Sequence, residues 1–423
     1  MTRLITVEVV RDLRVAVAGA GLGGLCLAQG LVKAGFDVRV YERDAAVDIR
    51  RQGYRLHVDS RAARALEACL PPPLHDLVLA TTGRPTHRVT VLSHRLRVRR
   101  ELPGDPAAFS TSVDRGVLRE ILAAGLEDRI SYGHELIGFD QDPLGVTLAL
   151  SASHRPPPAA RTAPRSSRRP PSPPPQEPAS RASPVAPGQL PPSSPDQAFH
   201  DMYVVDADVL VGADGVGSAV RGSLLPAARL IDTGDRIIYG RTALDDETRR
   251  LLPPALYDGF AAIAGRRVGV AAGLVEFRTP PPEAGARIGV RLSPAHDYLM
   301  WAVSARRNRF PASDESMTAM DAASLHAAAS TMIRRWHPDL RALIGRAEID
   351  RTFFVRVRVT GPVPAWTPSR VTLLGDAVHA MSPARGSGAN LALRDAATLC
   401  AALTAADDIV AAIGEYEKAL PRA

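Results

Sequence analysis

The fold of this chain is decided near its N-terminus by the stretch Val15-Ala16-Val17-Ala18-Gly19-Ala20-Gly21-Leu22-Gly23-Gly24. Its glycines form the pattern GxGxxG. Gly19 permits a tight turn, Gly21 lets the backbone approach a pyrophosphate, and Gly24 lets a helix pack closely on a strand. The pattern predicts that the N-terminus of the following helix faces a bound anion.

The elements around this loop agree with that interpretation. Short apolar segments predict a buried strand over 14–18 and a second strand over 37–41, and the helical stretch over 24–34 between them completes one βαβ unit. Glu42 ends the second strand, where a carboxylate accepts hydrogen bonds from an adenosine ribose and disfavours a 2′-phosphate. The unit predicts a dinucleotide site but does not separate NAD from FAD.

A second glycine-rich segment lies near the other end of the chain, in Leu373-Leu374-Gly375-Asp376-Ala377-Val378-His379. Asp376 follows a predicted strand over 370–374, and ligands gather at the C-terminal ends of strands in open α/β sheets. A carboxylate at that place can accept the hydroxyls of a ribityl chain. This segment therefore favours FAD over NAD.

The residues that follow strengthen the choice of FAD. Pro383, Gly386, Gly388 and Asn390 lead into a predicted helix over 389–404. Backbone N–H groups at its N-terminus suit the electron-rich pyrimidine edge of an isoalloxazine and would stabilise negative charge on a reduced flavin. The two glycine-rich segments together predict one FAD, with the Gly19 loop at its adenosine end and the Gly375 segment at its flavin end.

A third signature runs from Asp208 to Arg221, where a strand enters a glycine-rich turn and a short helix. One interpretation is an Asp-Gly turn that simply closes the strand. The other is that Asp214 and Arg221 shape a junction between the cofactor and its reductant. The residues alone leave both open.

Composition excludes several classes of protein. The hydrophobic fraction of 45% fits a globular protein, and no apolar run approaches the roughly 20 residues that span a bilayer, so we expect a cytoplasmic protein without a membrane span. The three cysteines are widely spaced, which indicates neither disulfides nor a zinc site, and we expect no metal. The net charge of +7 is concentrated in one unusual segment, so we expect no nucleic-acid partner.

That segment, residues 152–199, holds fifteen of the 36 prolines and six arginines against two acids. It has almost no large apolar residue to bury, so we expect a disordered Pro/Ser/Arg-rich insert. The flanking segments 145–150 and 202–211 read as strands, which predicts a hairpin whose loop has been expanded.

The region between residues 237 and 359 contains alternating segments at 287–292, 298–305 and 352–359, which predict strands of a mixed or antiparallel sheet. The predicted class is α/β, with a Rossmann-like FAD-binding domain and an interwoven substrate domain on that sheet. The predicted boundaries are 11–90, 104–235 and 365–423 for the discontinuous FAD-binding domain, and 91–103 and 236–364 for the substrate domain.

Taken in order, the three signatures resemble the class A FAD-dependent aromatic monooxygenases, which are similar to para-hydroxybenzoate hydroxylase. The resemblance covers nearly the whole chain apart from the insert. It implies hydroxylation of an aromatic or electron-rich small molecule with NADH or NADPH and O2, through a flavin C4a-hydroperoxide. It also implies that Gly53, Arg115 and Ala389 contact the flavin cofactor.

The resemblance leaves the substrate, its regiochemistry and the oligomeric state open. Arg241, Trp301 and Phe353 are candidates for the substrate pocket, although core packing is the more usual role for both aromatic residues. His379, flanked by Ala and Met, fits a structural side chain bonded to backbone better than a general base. Alternative activities are Baeyer-Villiger or epoxidising oxygenation, and a non-catalytic flavin-fold binding protein is the alternative from another class.

Overall fold

The computed structural model describes residues 11–46, 54–85, 88–105, 109–152, 201–257, 259–383 and 386–421. The predicted flavin contact Gly53 lies outside the described residues, and so does the predicted insert apart from Ala152. The division of the chain into two domains stays a prediction.

The strands follow in chain order: β1 (Arg11–Ala18), β2 (Phe36–Glu42), β3 (Arg55–Asp59), β4 (Arg88–Ser93), β5 (Val98–Pro103), β6 (Ser110–Asp114), β7 (Ile130–Tyr132), β8 (His134–Gln141), β9 (Val146–Ala152), β10 (Asp201–Ala207), β11 (Val209–Gly212), β12 (Leu230–Ala243), β13 (Gly259–Ala264), β14 (Val268–Val275), β15 (Tyr298–Arg306), β16 (Phe353–Thr360) and β17 (Val371–Leu373).

The helices follow in the same order: α1 (Leu22–Lys33), α2 (Ser60–Cys69), α3 (Pro72–Thr81), α4 (Arg115–Ala123), α5 (Ala219–Leu224), α6 (Asp246–Leu251), α7 (Pro281–Ala286), α8 (Asp314–Ala319), α9 (Ala322–Met332), α10 (Pro338–Gly345), α11 (Asp376–His379), α12 (Gly388–Ala405) and α13 (Ile409–Ala419). Short 3-10 turns occupy Glu127–Arg129, Pro254–Leu256, Arg307–Arg309 and Ile349–Arg351.

A parallel sheet in the order β17-β11-β1-β2-β7 forms the Rossmann-like half of the α/β fold. Strand β1 pairs in parallel with β2 and with β11, so Val15 lies opposite both Val38 and Val209. These valines are at most 2% exposed, because they belong to one apolar cluster with residues of the covering helices, such as Leu25 of α1. This buried sheet fixes the positions of the loops at its C-terminal edge.

A three-stranded antiparallel sheet, β10-β9-β8, adjoins the first. Its hairpin pairs Val146 with Ala207 and Ala152 with Asp201. The single strand predicted over 202–211 is divided at Asp208 between β10 here and β11 in the parallel sheet. Asp208 makes the change of sheet possible, since its carboxylate accepts the Arg14 N–H at 2.7 Å and its own N–H donates to the Arg14 carbonyl at 2.8 Å.

The third sheet has seven strands in the order β16-β12-β15-β14-β13-β4-β5. Its pairings are antiparallel except for β13 with β4, which run parallel. It is the mixed sheet that the sequence predicted, with β15 and β16 at the predicted places. One of its faces packs on α9 and α10 through a separate apolar cluster that includes Trp301, Leu325 and Leu343.

The strand predicted over 287–292 is wrong. Helix α7 ends at Ala286, and the chain then turns, with the Val290 N–H donating to the Gly285 carbonyl at 3.0 Å and Gly289 at φ 73°. The alternating apolar pattern predicted a strand with one buried face, but Ile288 is 41% exposed and is not part of a sheet. In the part of the chain that the structure describes, no helix combines the length and apolar character needed to cross a membrane.

Candidate active site

A cavity of about 1180 Å³ lies between the C-terminal edge of the parallel sheet and one face of the seven-stranded sheet. Residues remote in sequence meet there because β1, β6 and β17 all end at this cavity. The sequence-predicted cofactor residues that line it are Gly21, Gly24, Arg115, Asp376, Pro383, Gly386, Gly388 and Ala389. The predicted residues that do not line it are Gly19, Glu42, Asp214 and Asn390.

The glycine-rich loop is shaped by close backbone contacts. Gly19 has φ 105°, and a Cβ at this position would lie 2.5 Å from the Ala213 carbonyl oxygen. A Cβ on Gly24 would lie 2.1 Å from the Gly19 carbonyl oxygen. Gly21 is different: it caps α1 and faces the cavity, and the nearest atom to a Cβ there is 4.0 Å away. Gly19 and Gly24 therefore have close backbone contacts that exclude a side chain, whereas Gly21 leaves open space at the helix N-terminus.

Glu42 holds this loop from behind. Its Oε2 accepts the Ala20 N–H at 2.7 Å, and its Oε1 accepts the Asp44 N–H at 2.9 Å. Arg119, which the sequence did not single out, lies 3.3 Å from Oε2 and donates through Nε to the Ala20 carbonyl at 2.8 Å. Burial lowers the pKa of Arg119, and the nearby Glu42 charge opposes that shift. The ribose contact of Glu42 stays a prediction.

Arg115 and Asp376 approach the cavity from opposite halves of the chain. Arg115 begins α4, and its guanidinium carbon lies 5.8 Å from the centre of the Tyr54 ring. Asp376 lies deep in the cleft, yet solvent reaches its side chain because the cleft is open. The surrounding walls raise the pKa of Asp376 by desolvation, while His379 and Arg115 oppose the rise. Its carboxylate accepts no hydrogen bond from a described residue, so its acceptor sites face the cavity.

The N-terminus of α12 also opens on the cavity through Gly388 and Ala389. The N–H groups of a helix's first turn have no intrahelical acceptor, which makes this end a donor surface. Asn390 secures it. Its Nδ2 donates to the carbonyls of His57 and Gly386 at 2.9 and 3.1 Å, and its Oδ1 accepts the Asp59 N–H at 2.9 Å. The Asn390 side chain thus clamps protein segments together.

Asp214 and Arg221 likewise make contacts within the protein. Asp214 Oδ2 accepts the Ala219 N–H at 2.7 Å, while its Oδ1 is buried without a hydrogen-bond partner in the described chain. Arg221 donates to the carbonyls of Val216 and Ala377 at 2.7 and 2.8 Å. Arg221 therefore ties the Asp-Gly turn to the segment that follows Asp376.

His379 forms part of a buried network behind Asp376. Its Nε2 is hydrogen-bonded to Asp395 Oδ2, and the same oxygen accepts the Gly375 N–H at 3.1 Å. The sequence predicted a structural histidine bonded to backbone; the partner is a carboxylate instead. Asp395 is 1% exposed, so this pair holds the Gly375 turn, at φ 59°, in position.

The candidates for the substrate pocket fall in three different places. The prediction that Trp301 lines the substrate pocket is wrong. Its side chain is fully buried on the face of β15 that points away from the cavity, and its Nε1 donates to Thr242 Oγ1 at 3.2 Å. Side chains alternate along a strand, so Met300 and Ala302 face the cavity and Trp301 cannot.

Arg241 and Phe353 do not line the cavity either. Arg241 donates to Glu348 Oε2 at 3.0 and 2.8 Å and covers the Tyr298 ring at 5.1 Å. Phe353 stacks on Tyr239, which does line the cavity. The Arg241 contacts indicate a structural ion pair, and Phe353 supports a wall residue.

Several lining residues were missed from the sequence, chiefly Tyr54, Arg55, His57 and Tyr239. The first three follow Gly53 directly, which was the available signal. Burial lowers the pKa of Arg55 to about 10, and its Nε donates to the Leu274 carbonyl at 3.1 Å. Burial, followed by the Arg55 charge, lowers the pKa of His57, so this imidazole is mostly neutral at pH 7.

A second cavity of about 580 Å³ lies on the other side of Met381 and Ser382, against α13. Glu417 lines it, is 8% exposed, and accepts hydrogen bonds from Thr372 Oγ1 at 2.8 Å and Trp366 Nε1 at 2.9 Å. Both bonds reach Oε1, and Oε2 is buried without a partner in the described chain. Burial raises the pKa of Glu417 from its ordinary value of 4.5 to about 7.

We expect Glu417 to make stability fall as the pH rises. The folded state favours the protonated acid. The contribution of Glu417 to the free energy of unfolding is therefore complete below pH 4.5 and is lost as the pH rises through about 7. Allowing for screening, the loss is on the order of 2 kcal/mol. The measurement is thermal unfolding at pH 5 and pH 8. The Tm of Glu417→Gln, compared with that of wild type at the same pH, should be higher at pH 8 than at pH 5.

The matched control is Glu415→Gln, because Glu415 is 71% exposed in its pair with Lys418. Its Tm difference from wild type should stay nearly the same at both pH values. An equal difference at both pH values in Glu417→Gln would show that Glu417 is ionised in the folded protein across this range.

Comparison with known proteins agrees with this geometry. A family described as FAD binding domain matches residues 304–408, and one described as NAD(P)-binding Rossmann-like domain matches residues 17–66. A solved structure from Photorhabdus luminescens, assigned as an FAD-containing monooxygenase, superposes with a TM-score of 0.72 at 25% identity. The match covers 97% of this chain and 94% of that one.

Two relatives in sequence point the same way. A dual O-methyltransferase/FAD-dependent monooxygenase of Cercospora beticola is 30% identical over 433 residues, which cover 96% of this chain and 44% of the relative. The chain thus spans less than half of that relative's length. A 3-amino-4-hydroxybenzoate 2-monooxygenase of Streptomyces platensis is 29% identical over 421 residues, covering 97% of this chain and 84% of the relative.

Proposed function

Because its matching families are FAD-binding and Rossmann-like domains and its relatives include FAD-dependent monooxygenases, we propose that this chain hydroxylates an aromatic or similarly electron-rich small molecule, using NADH or NADPH and O2. The observation that carries the proposal is the cavity of about 1180 Å³. It joins the predicted cofactor residues, such as Asp376, to a face of the seven-stranded sheet that is lined mainly by apolar side chains. A cofactor held at one end can therefore meet a substrate held at the other.

The residues present fit FAD. Gly21 and the first turn of α1 offer space and N–H donors for the pyrophosphate, and that turn contains no acid to repel it. The cavity-facing carboxylate of Asp376 suits the ribityl hydroxyls, and Arg115 lies where it can contact the cofactor. The N-terminus of α12 would face the pyrimidine edge. When bound, the flavin would supply electron transfer from NAD(P)H and the activation of O2.

The protein's own contribution is to position the substrate and exclude water. On the sheet side the cavity is lined by apolar side chains that include Ile237, Val270 and Met300. Such a wall removes water from around a reactive oxygen species and gives an apolar ring surface a favourable place to lie. The sequence contains the GxGxxG pattern once, at Gly19 to Gly24, which by the resemblance to the family favours transient docking of NAD(P)H beside the flavin.

The aromatic part of the proposal is supported by the Streptomyces platensis relative, whose name states an aminohydroxybenzoate substrate. The test supplies the purified protein with FAD and follows NADH and NADPH oxidation against a panel of phenols and fused-ring aromatics. Under ¹⁸O2 we expect a product that carries one labelled oxygen atom. A protein that stays colourless after addition of FAD, or that releases only hydrogen peroxide with every compound, would contradict the proposal.

A further inference from the structure

Three aromatic rings meet at the junction between the two halves of the cavity. The centres of Tyr54 and Tyr239 lie 5.4 Å apart at 23°, and those of Tyr239 and Phe353 lie 5.3 Å apart at 16°. Tyr54 and Phe353 also contact each other at 5.9 Å. The aromatic stack, as we call these three residues, forms although aromatic residues make up only 5% of the chain.

The strand register places the stack on the cavity wall. Tyr239 on β12 and Phe353 on β16 are directly opposite each other, so their rings lie on the same face of the sheet. Tyr54 approaches from the cofactor half, where its carbonyl accepts the Arg115 N–H at 3.0 Å. Tyr54 and Tyr239 line the cavity, and Phe353 packs beside Tyr239 without lining it. The stack thus lies between the cofactor residues and the apolar face.

The two tyrosine hydroxyls of the stack have no hydrogen-bond partner among the described residues. The fully buried tyrosines behave differently, since Tyr298 donates to Asp114 and Tyr416 donates to the Leu373 carbonyl, each at 2.8 Å. Buried tyrosine hydroxyls usually find a partner, whereas Tyr54 and Tyr239 are half-buried and border the cavity. Burial, followed by the nearby Tyr54, raises the pKa of Tyr239, so its hydroxyl stays protonated and can donate to a ligand.

The cavity extends far beyond the stack. Side chains from successive strands of the sheet line it, from β12 at one side to β5 at the other: Tyr239, Ala302, Val270, Ala262, Val91 and Leu102. Five steps between neighbouring strands, each about 4.8 Å, give a span of about 24 Å. A single benzene ring would leave most of this apolar length empty.

We propose that the aromatic stack is the substrate platform and that Tyr239 donates a hydrogen bond to an oxygen of a fused-ring aromatic substrate that bears a hydroxyl or carbonyl group. This inference rests on the proposed function and narrows its substrate class from aromatic molecules in general to extended multi-ring ones. The stack supplies contact area for the rings, and the hydroxyl sets their orientation relative to the cofactor.

The test measures binding without turnover, by equilibrium dialysis of FAD-loaded protein against 2-naphthol, naphthalene and phenol. We expect 2-naphthol to bind about tenfold more tightly than phenol, because a second ring is buried. Tyr239→Phe keeps the ring and removes the hydroxyl. It should therefore weaken the binding of 2-naphthol about three- to tenfold and leave the binding of naphthalene unchanged. Tyr239→Leu and Phe353→Leu should weaken both two-ring probes.

The control is Tyr257→Phe, because Tyr257 is exposed and its hydroxyl donates to the Arg249 carbonyl outside the cavity. It should bind all three probes as wild type does. The inference is overturned if Tyr239→Phe binds 2-naphthol normally, or if FAD-loaded wild type binds phenol as tightly as 2-naphthol. Those results would leave a working flavoenzyme in place. Failure of the proposed function appears separately, as absence of FAD uptake or of oxygenated product.

Discussion

Replacing Asp376 by alanine is expected to weaken FAD binding roughly 10- to 100-fold, since hydrogen bonds to a charged group contribute about 1.5–3 kcal/mol. The carboxylate faces the cavity and accepts no hydrogen bond from a described residue, so a ligand can use its oxygens. Desolvation by the cleft walls also makes those oxygens stronger acceptors than they would be in water. The measurement is titration of apoprotein with FAD by fluorescence.

The matched control for this change is Asp235→Ala. Asp235 on β12 lines the same cavity and pairs with Arg306 at 3.1 Å. Its removal should leave FAD affinity within about twofold of wild type, because its carboxylate is already paired with Arg306. Asp376→Asn should fall between wild type and alanine, since an amide oxygen accepts more weakly than a carboxylate. Unchanged FAD affinity in Asp376→Ala would remove the ribityl assignment.

Gly19→Ala is expected to destabilise the fold by roughly 3 kcal/mol or more. The new Cβ would lie 2.5 Å from the Ala213 carbonyl oxygen and 2.9 Å from the Asp214 Cα, and these are backbone atoms that cannot rotate away. The residue would also have to keep φ 105°, a conformation that alanine adopts only at a cost. Thermal unfolding of the apoprotein should show a clear drop in Tm, and the yield of folded protein should fall.

Gly21→Ala separates ligand binding from stability in the same loop. Its Cβ would have no neighbour closer than 4.0 Å and its φ is −75°, so the apoprotein should unfold at nearly the wild-type temperature. The methyl group would project into the cavity, however, and keep the pyrophosphate from the α1 N–H groups. We expect weaker FAD binding without loss of Tm. Equal losses of Tm in both variants would mean that the two glycines share one structural role.

The cofactor half could be predicted from sequence because its signals are local. Gly21 and Asp376 each stand where a strand ends or a helix begins, and short patterns mark such places. Arg115 also begins a helix, but it was expected as a cofactor contact only from the resemblance to a known family. Parallel strands bring their C-terminal ends to one edge, so locating each signal on its element also located the site. Their contacts with FAD stay predictions, although these three residues do line one cavity.

Side-chain partners were beyond the same reasoning. Asn390 satisfies three backbone groups of other segments, and His379 pairs with Asp395, because the fold brings α12 against β3 and α11. Trp301 was misplaced because a strand flanked by apolar residues on both faces does not reveal which face meets the cavity. Only the packing of α9 and α10 on one side of the sheet assigns Trp301 to the core and Met300 to the wall.

The sequence by itself determined the α/β class, the glycine-rich loop and the choice of FAD, because each depends on residues that are neighbours in the chain or follow a regular period. The tertiary structure decided the substrate side. Tyr54, Tyr239 and Phe353 come from separate segments and carry no pattern that links them. They form one wall only because β12 pairs with β16 and the chain before β3 reaches across to both.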